Sequence, residues 1–181
     1  MNDINLIIPS LEYEEDAMQF VNEIINVDGA GIHGSSELEN QSYKKWLNTI
    51  ERNAAGEEMH NLSPSDTYFA VRSNDKKIVG IINIRHKLNN EFMQLYGGHI
   101  GCTVRPCERK KGYSKQMLRH ALNRCRELNI NNVLITCDPQ NEPSYRVIES
   151  CGGVVENEIP YPDSNESVRR YWIDLSDINC D

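Results

Sequence analysis

Residues 105–118, RPCERKKGYSKQML, concentrate positive charge in one place. Arg105, Arg109, Lys110, Lys111 and Lys115 fall within the first eleven positions, around Gly112, in a chain of 181 residues whose formal charge is -8. The stretch joins an extended segment, HIGCTVRP (99–106), to the start of an amphipathic helix. The first four N–H groups of a helix lack intrahelical acceptors, and the helix dipole adds partial positive charge there. A glycine admits a ligand close to the backbone. Together these features describe a cradle for a phosphate-bearing anion. Neither phosphate loop with a fixed glycine spacing, GxxxxGK[ST] or GxGxxG after a strand, is present.

The elements that must position this turn follow from periodicity. DINLII (3–8) reads as a first strand, and LEYEEDAMQFVNEIINV as a helix with acidic residues in its first turn. DGAGIHGSSE (28–37) reads as a loop, and YKKWLNTIERNA as a second amphipathic helix ending near Gly56. TYFAVRS (67–73) and KIVGIINIRH (77–86) are β-rich and joined by a turn, with a longer excursion from 87 to 98. A third helix spans about Gly112 to Leu128, with Met117, Leu118, Ala121, Leu122, Cys125 and Leu128 in one stripe. NNVLITCD is a buried strand, EPSYRVIESCGG a short helix closed by Gly152, and GVVENEI and VRRYWIDL two final strands. The strand–helix–strand unit from 99 to 137 calls for a right-handed parallel crossover, and the strands before it for an antiparallel meander. The expected class is a mixed α/β sheet in one domain over residues 1–181.

Arg109-Lys110-Lys111-Gly112-Tyr113-Ser114 fits (Q/R)xxGx(G/A), with Ser in the last small position. This signature, the strand ending VRP, the helix after it, and Asn141 opening a short helix resemble the GNAT N-acetyltransferases over nearly the whole chain. The resemblance implies a central sheet of six to seven strands with splayed parallel strands, flanked by helices, and acetyl-CoA as co-substrate. It implies that backbone amides from Arg109 to Ser114, through Lys110, Lys111, Gly112 and Tyr113, hold the pyrophosphate. The strand around Cys102 to Arg105, with Thr103 and Val104, is expected to be bulged and to pair with the pantetheine arm. An N–H near Thr103 or Val104 is expected at the thioester carbonyl, and Asn141 at the arm. Lys110, Lys111 and Lys115 are candidates for the 3′-phosphate.

Amine acylation needs a base, oxyanion stabilisation and a leaving thiolate. The family's base position falls on His99, whose ordinary pKa of about 6.5 suits the task. The family's acid, a tyrosine seven residues after the asparagine, falls on Ile148, which has no proton to give. Tyr145, nearly one turn away, is the alternative, and water is another. His86 and Arg85 are placed on the acceptor side, with Asp28, Glu37, Glu39, Glu91, Tyr43, Tyr96 and Tyr161 as further acceptor-pocket residues. The carboxylates would attract a cationic amine.

The remaining features bound the reading. The overall acidity argues against a nucleic-acid binder, and no apolar run approaches the length of a membrane span. The first residues lack a basic leader region, and the six cysteines (102, 107, 125, 137, 151 and 180) show neither paired nor zinc spacing, so a cytoplasmic protein with free thiols and no metal is expected. The expected function is acetyl transfer to a primary amine of a small molecule or peptide. The alternative is a non-catalytic acyl-CoA-binding or sensory module, which Ile148 favours. The oligomeric state, a homodimer included, is left open by the sequence.

Overall fold

The computed structural model describes residues 3–29, 31–56, 63–162 and 164–176, so the expectation for Cys180 lies outside the described residues. Among the described residues, seven strands and four α-helices follow in the expected order. The strands are β1 (Ile4–Ile7), β2 (Ser65–Arg72), β3 (Ile78–Arg85), β4 (Ile100–Val104), β5 (Asn132–Cys137), β6 (Val154–Pro160) and β7 (Ser167–Asp174). The helices are α1 (Glu14–Asp28), α2 (Tyr43–Ala54), α3 (Tyr113–Glu127) and α4 (Glu142–Ser150).

The helix boundaries have local causes. Glu14, Glu15 and Asp16 sit where the α1 dipole favours negative charge, and Gly29, at φ 65, accepts the left-handed turn that stops it. Asn141 caps α4 by accepting the Ser144 N–H, with Pro143 in the first turn. Each helix buries one stripe. Ala17, Phe20, Val21 and Ile24 of α1 pack with Trp46 and Ile50 of α2 on one face of the sheet. Met117, Leu118, Ala121, Leu122 and Cys125 of α3 pack on the other, with Ile148 of α4.

The sheet is divided. β1–β4 form an antiparallel meander, and β5, β7 and β6 form a second antiparallel unit in that spatial order. β4 and β5, expected as splayed parallel neighbours, share no ladder, and the β4–α3–β5 crossover joins two units. Where they meet, the His99 N–H donates to the Leu134 carbonyl at 2.7 Å, and the Leu134 N–H donates to His99 Nδ1 at 3.0 Å. Beyond that joint the strands separate. The bulge expected on β4 lies instead on β3: its pairing with β2 shifts register between Ala70 and Val71, while β3 pairs with β4 in unbroken register from Gly80–Val104 to Ile84–Ile100. No helix among the described residues is long and apolar enough to cross a membrane.

Candidate active site

Register decides what β4 offers. The Arg85 N–H donates to the His99 carbonyl and the Arg105 N–H to the Val79 carbonyl. Hydrogen-bonded pairs alternate along an antiparallel ladder, so Gly101 and Thr103 also direct their polar backbone groups at β3. Cys102 and Val104 direct theirs the other way, toward β5, where no strand is paired. This open edge borders a slot of about 790 Å³, lined on one side by Gly101, Cys102 and Ser114 and on the other by Ile135, Thr136 and Cys137. An extended chain laid there has backbone partners ready, in the manner of an added strand. Of the two candidates for the thioester carbonyl, Val104 has its N–H on the open edge of β4, though neither lines the slot itself. Thr103 has its N–H on β3 and its hydroxyl donating to the His33 carbonyl at 2.9 Å.

The basic turn lies where β4 leads into α3. Lys110 and Gly112 hold positive φ, 62 and 83, either side of Lys111. Backbone of this kind turns successive N–H groups into a concave anion site. Among the described residues, the N–H groups of Lys110, Lys111, Gly112, Tyr113 and Ser114 have no acceptor. Arg109 differs from the expectation, because its N–H is already given to the Pro106 carbonyl at 3.3 Å. The side chains divide too. Arg109 forms a fork with both oxygens of Asp28, and Lys111 is held by Glu108 at 2.9 Å. Lys110 and Lys115 have no ion-pair partner among the described residues. They remain the free cations for a phosphate.

Arg105 is a correction. It is fully buried, and its guanidinium donates to Glu23 Oε1 and Oε2 at 2.8 and 2.7 Å, to Asp16 Oδ1 at 2.6 Å and to the Ile78 carbonyl at 2.9 Å. With its N–H on Val79 as well, and no exposed surface, it is out of reach of a ligand. It ties the entrance of the basic turn to α1.

His99 is a second correction. Its side chain is buried at the sheet joint and does not line the slot. Nδ1 accepts a backbone proton, so the neutral ring carries its own proton on Nε2 and has no free lone pair for an ammonium proton. Burial pulls its pKa below the ordinary value, helped by the nearby Arg85 charge. His99 fastens two sheets and is not placed as a base.

Tyr145 is the third. It does not line the slot; its ring lies under the Arg169 guanidinium at 5.4 Å and packs on the core. Ile148, buried, does line the slot, so the wall where the family places an acid is apolar. Asn141 lines the slot; its side-chain oxygen caps α4 at 3.2 Å, leaving its NH2 to donate. Ser144, one turn into α4, also lines the slot and was missed. Its place one turn after the asparagine was the available signal.

The acceptor end also departs from expectation. Asp28 is taken by Arg109, and Glu39 accepts from Ile32 N–H and the Ser35 hydroxyl inside its own loop. Neither Glu37 nor Glu91 lines the slot, and Tyr43 is buried with its hydroxyl on the Ser10 carbonyl. His86 lies 3.1 Å from Asp66, away from the slot. Arg85, Tyr96 and Tyr161 do line it, the two tyrosine rings stacked 4.8 Å apart, together with Asp138, Glu166 and His33. The His33 loop reaches β4 because two glycines meet: a Cβ on Gly34 would stand 2.1 Å from the Gly101 carbonyl oxygen.

The slot's thiols are poor nucleophiles. Burial pushes Cys102 up to about 11, with Ser114 pulling weakly the other way, and Cys137 likewise up to about 11. All five cysteines among the described residues are free, and no cluster of His, Cys, Asp or Glu there suits a metal ion.

Comparison with known proteins agrees with this arrangement. Residues 6–154 match the family model described as Acetyltransferase (GNAT) domain. The chain is 34% identical over 65 residues to the Uncharacterized N-acetyltransferase YnaD of Bacillus subtilis (strain 168); the match covers 34% of this chain and 38% of that protein. Among solved structures, the microcin C7 self-immunity acetyltransferase MccE, in complex with acetyl-CoA and AMP, superposes with a TM-score of 0.69 at 15% identity, covering 96% of this chain and 93% of that one. A spermidine N-acetyltransferase SpeG chimera from Vibrio cholerae and hSSAT superposes with a TM-score of 0.64 at 14% identity, covering 96% of each chain. A split sheet with an open β4 edge, five unclaimed amides at its end and a matching family model lead to one conclusion: the chain belongs to the GNAT family of acetyl-CoA-dependent acetyltransferases.

Proposed function

We propose that this protein transfers the acetyl group of acetyl-CoA directly to a primary amine of a small molecule or peptide. The observation that carries the reading is the run of five unclaimed N–H groups from Lys110 to Ser114, at the end of a strand edge that is itself open. The pyrophosphate sits on those amides, with Lys110 and Lys115 supplying charge. The pantetheine arm lies along Cys102–Val104 and meets the Asn141 NH2. The Val104 N–H polarises the thioester carbonyl and stabilises the oxyanion formed when the amine attacks. The amine gives up its proton to solvent, because His99 is sealed in the joint. The C–S bond breaks, and water protonates the thiolate, because Ile148 cannot. Asp138 and Glu166 supply negative charge for the incoming ammonium. The protein is read as cytoplasmic, in keeping with its free thiols.

Acetyl-CoA at about 100 times its dissociation constant should stabilise the fold by roughly 2.7 kcal/mol. Thiol release with a panel of amines then tests turnover. Absence of a thermal shift at saturating acetyl-CoA overturns the reading. Ile148 on the slot wall favours a second reading, a non-catalytic acyl-CoA module, which predicts the shift without thiol release.

A further inference from the structure

The slot is unevenly charged. Among the described residues Arg85 is the lysine or arginine that lines it, and it does so from the last position of β3. Side chains alternate along the strand: Ile81 packs with α1 and α2, and Asn83 bonds Ser36 and Thr67 on that same side. Arg85 therefore points to the acceptor face, beside the His33 loop, and away from α3 and the phosphate cradle.

Its surroundings are unusual for this molecule. Arg72, Arg105, Arg109, Arg124, Arg169 and Arg170 each face a carboxylate within ion-pair distance. Arg85, half-buried, faces only backbone: Nη1 donates to the Gly98 carbonyl at 3.1 Å, with the Gly97 carbonyl at 3.5 Å. Nε and Nη2 have no acceptor among the described residues. Burial alone lowers its pKa, and no neighbouring acid opposes that. A desolvated guanidinium with an idle Nε–Nη2 edge matches a carboxylate in two-pronged geometry. The acids of the slot, Asp138 and Glu166, are exposed. They form no ion pair with Arg85, so the slot offers an anion site and, separately, negative charge for an ammonium.

Resting on the amine-acetylation reading above, we propose that Arg85 binds a carboxylate of the acceptor, so that the amine acetylated belongs to a small amino-carboxylate. The occupant carries its carboxylate toward β3 and its amine toward the thioester.

The test is thiol release, at saturating acetyl-CoA, with matched pairs: amino acids such as phenylalanine and lysine against phenethylamine and cadaverine, which lack the carboxylate. The wild type should show kcat/KM at least tenfold higher for the carboxylated members. Arg85→Gln should erase that difference, mainly through KM, and Arg85→Lys should restore part of it. A wild type that favours the decarboxylated amines, or uses no carboxylated amine, overturns the proposal without any variant. So does an Arg85→Gln that depresses both members of each pair equally, the result for an arginine that only braces Gly98. A parallel acetyl-CoA titration separates the two levels. Lost cofactor binding in the wild type sinks the acetyltransferase reading; intact binding with no carboxylate preference sinks this inference alone.

Discussion

His99→Ala separates a joint from a base. In the structure the substitution removes the acceptor of the buried Leu134 N–H at 3.0 Å. A buried donor left unpaired costs about 1–3 kcal/mol. The lost ring also leaves a void between the sheets, adding on the order of 1 kcal/mol. The expected destabilisation is therefore about 2–4 kcal/mol near pH 8, measured by urea unfolding. Its pH dependence carries the sharper test. The folded pKa of His99 is depressed, so between it and the unfolded value of about 6.5 the native state binds fewer protons than the unfolded chain. The stabilisation from His99 is complete above that unfolded value and declines as pH falls, by at most about 1.4 kcal/mol per pH unit. The variant has no such group, so the gap between the two proteins should narrow from pH 8 toward pH 5. A gap that stays constant or widens on acidification would refute the reasoning. So would an unchanged unfolding curve together with loss of an acidic limb in kcat/KM, because that pattern belongs to a general base.

Other perturbations probe the cradle and its supports. Gly112→Val places a β-branched residue at φ 83 and a side chain over the free amides; acetyl-CoA titration should show at least a tenfold rise in dissociation constant. Lys110→Ala with Lys115→Ala should weaken acetyl-CoA binding and flatten its salt dependence, leaving the melting temperature of the free protein within a few degrees. Arg105→Met should lower stability by about 3 kcal/mol, because breaking a buried charge network strands its partners, and weaken the cofactor through the displaced turn; chemical unfolding reads the first effect and titration the second. Gly34→Ala brings a Cβ to 2.1 Å from the Gly101 oxygen, at φ 80. It should therefore push the His33 loop off β4 and raise the acceptor KM more than that of acetyl-CoA.

The element order, the glycine turn and the Asn141 cap were legible because each is written in a few neighbouring residues. What escaped depends on partners far along the chain. Arg105 belongs by charge to the basic run, but its carboxylates Asp16 and Glu23 stand 89 and 82 positions away, and nothing local distinguishes it from Arg109. The direction of the His99 ring is set by Leu134, 35 positions on. Tyr145 and Ser144 are adjacent on α4, and a rotation of one residue decides which faces the slot. Arg85 was placed on the acceptor side, but its lack of a carboxylate became visible only once the chain was packed. The splaying of β4 from β5 was expected from the family resemblance only, since strand periodicity says nothing about which edges are left unpaired.

That division bears on how the molecule opens. The two backbone ladders close separately, one over residues 4–104 and one over 132–174; among the described residues they are joined through the backbone at His99 and Leu134, and by Thr136 and Arg170 side chains donating to the Tyr96, Gln94 and Leu95 carbonyls. Amide exchange should resolve them as two cooperative blocks held together by these few hydrogen bonds and by side-chain packing under α3. An acyl carrier laid along β4 supplies the missing rung, so its arrival should slow exchange in both blocks and make them open as one.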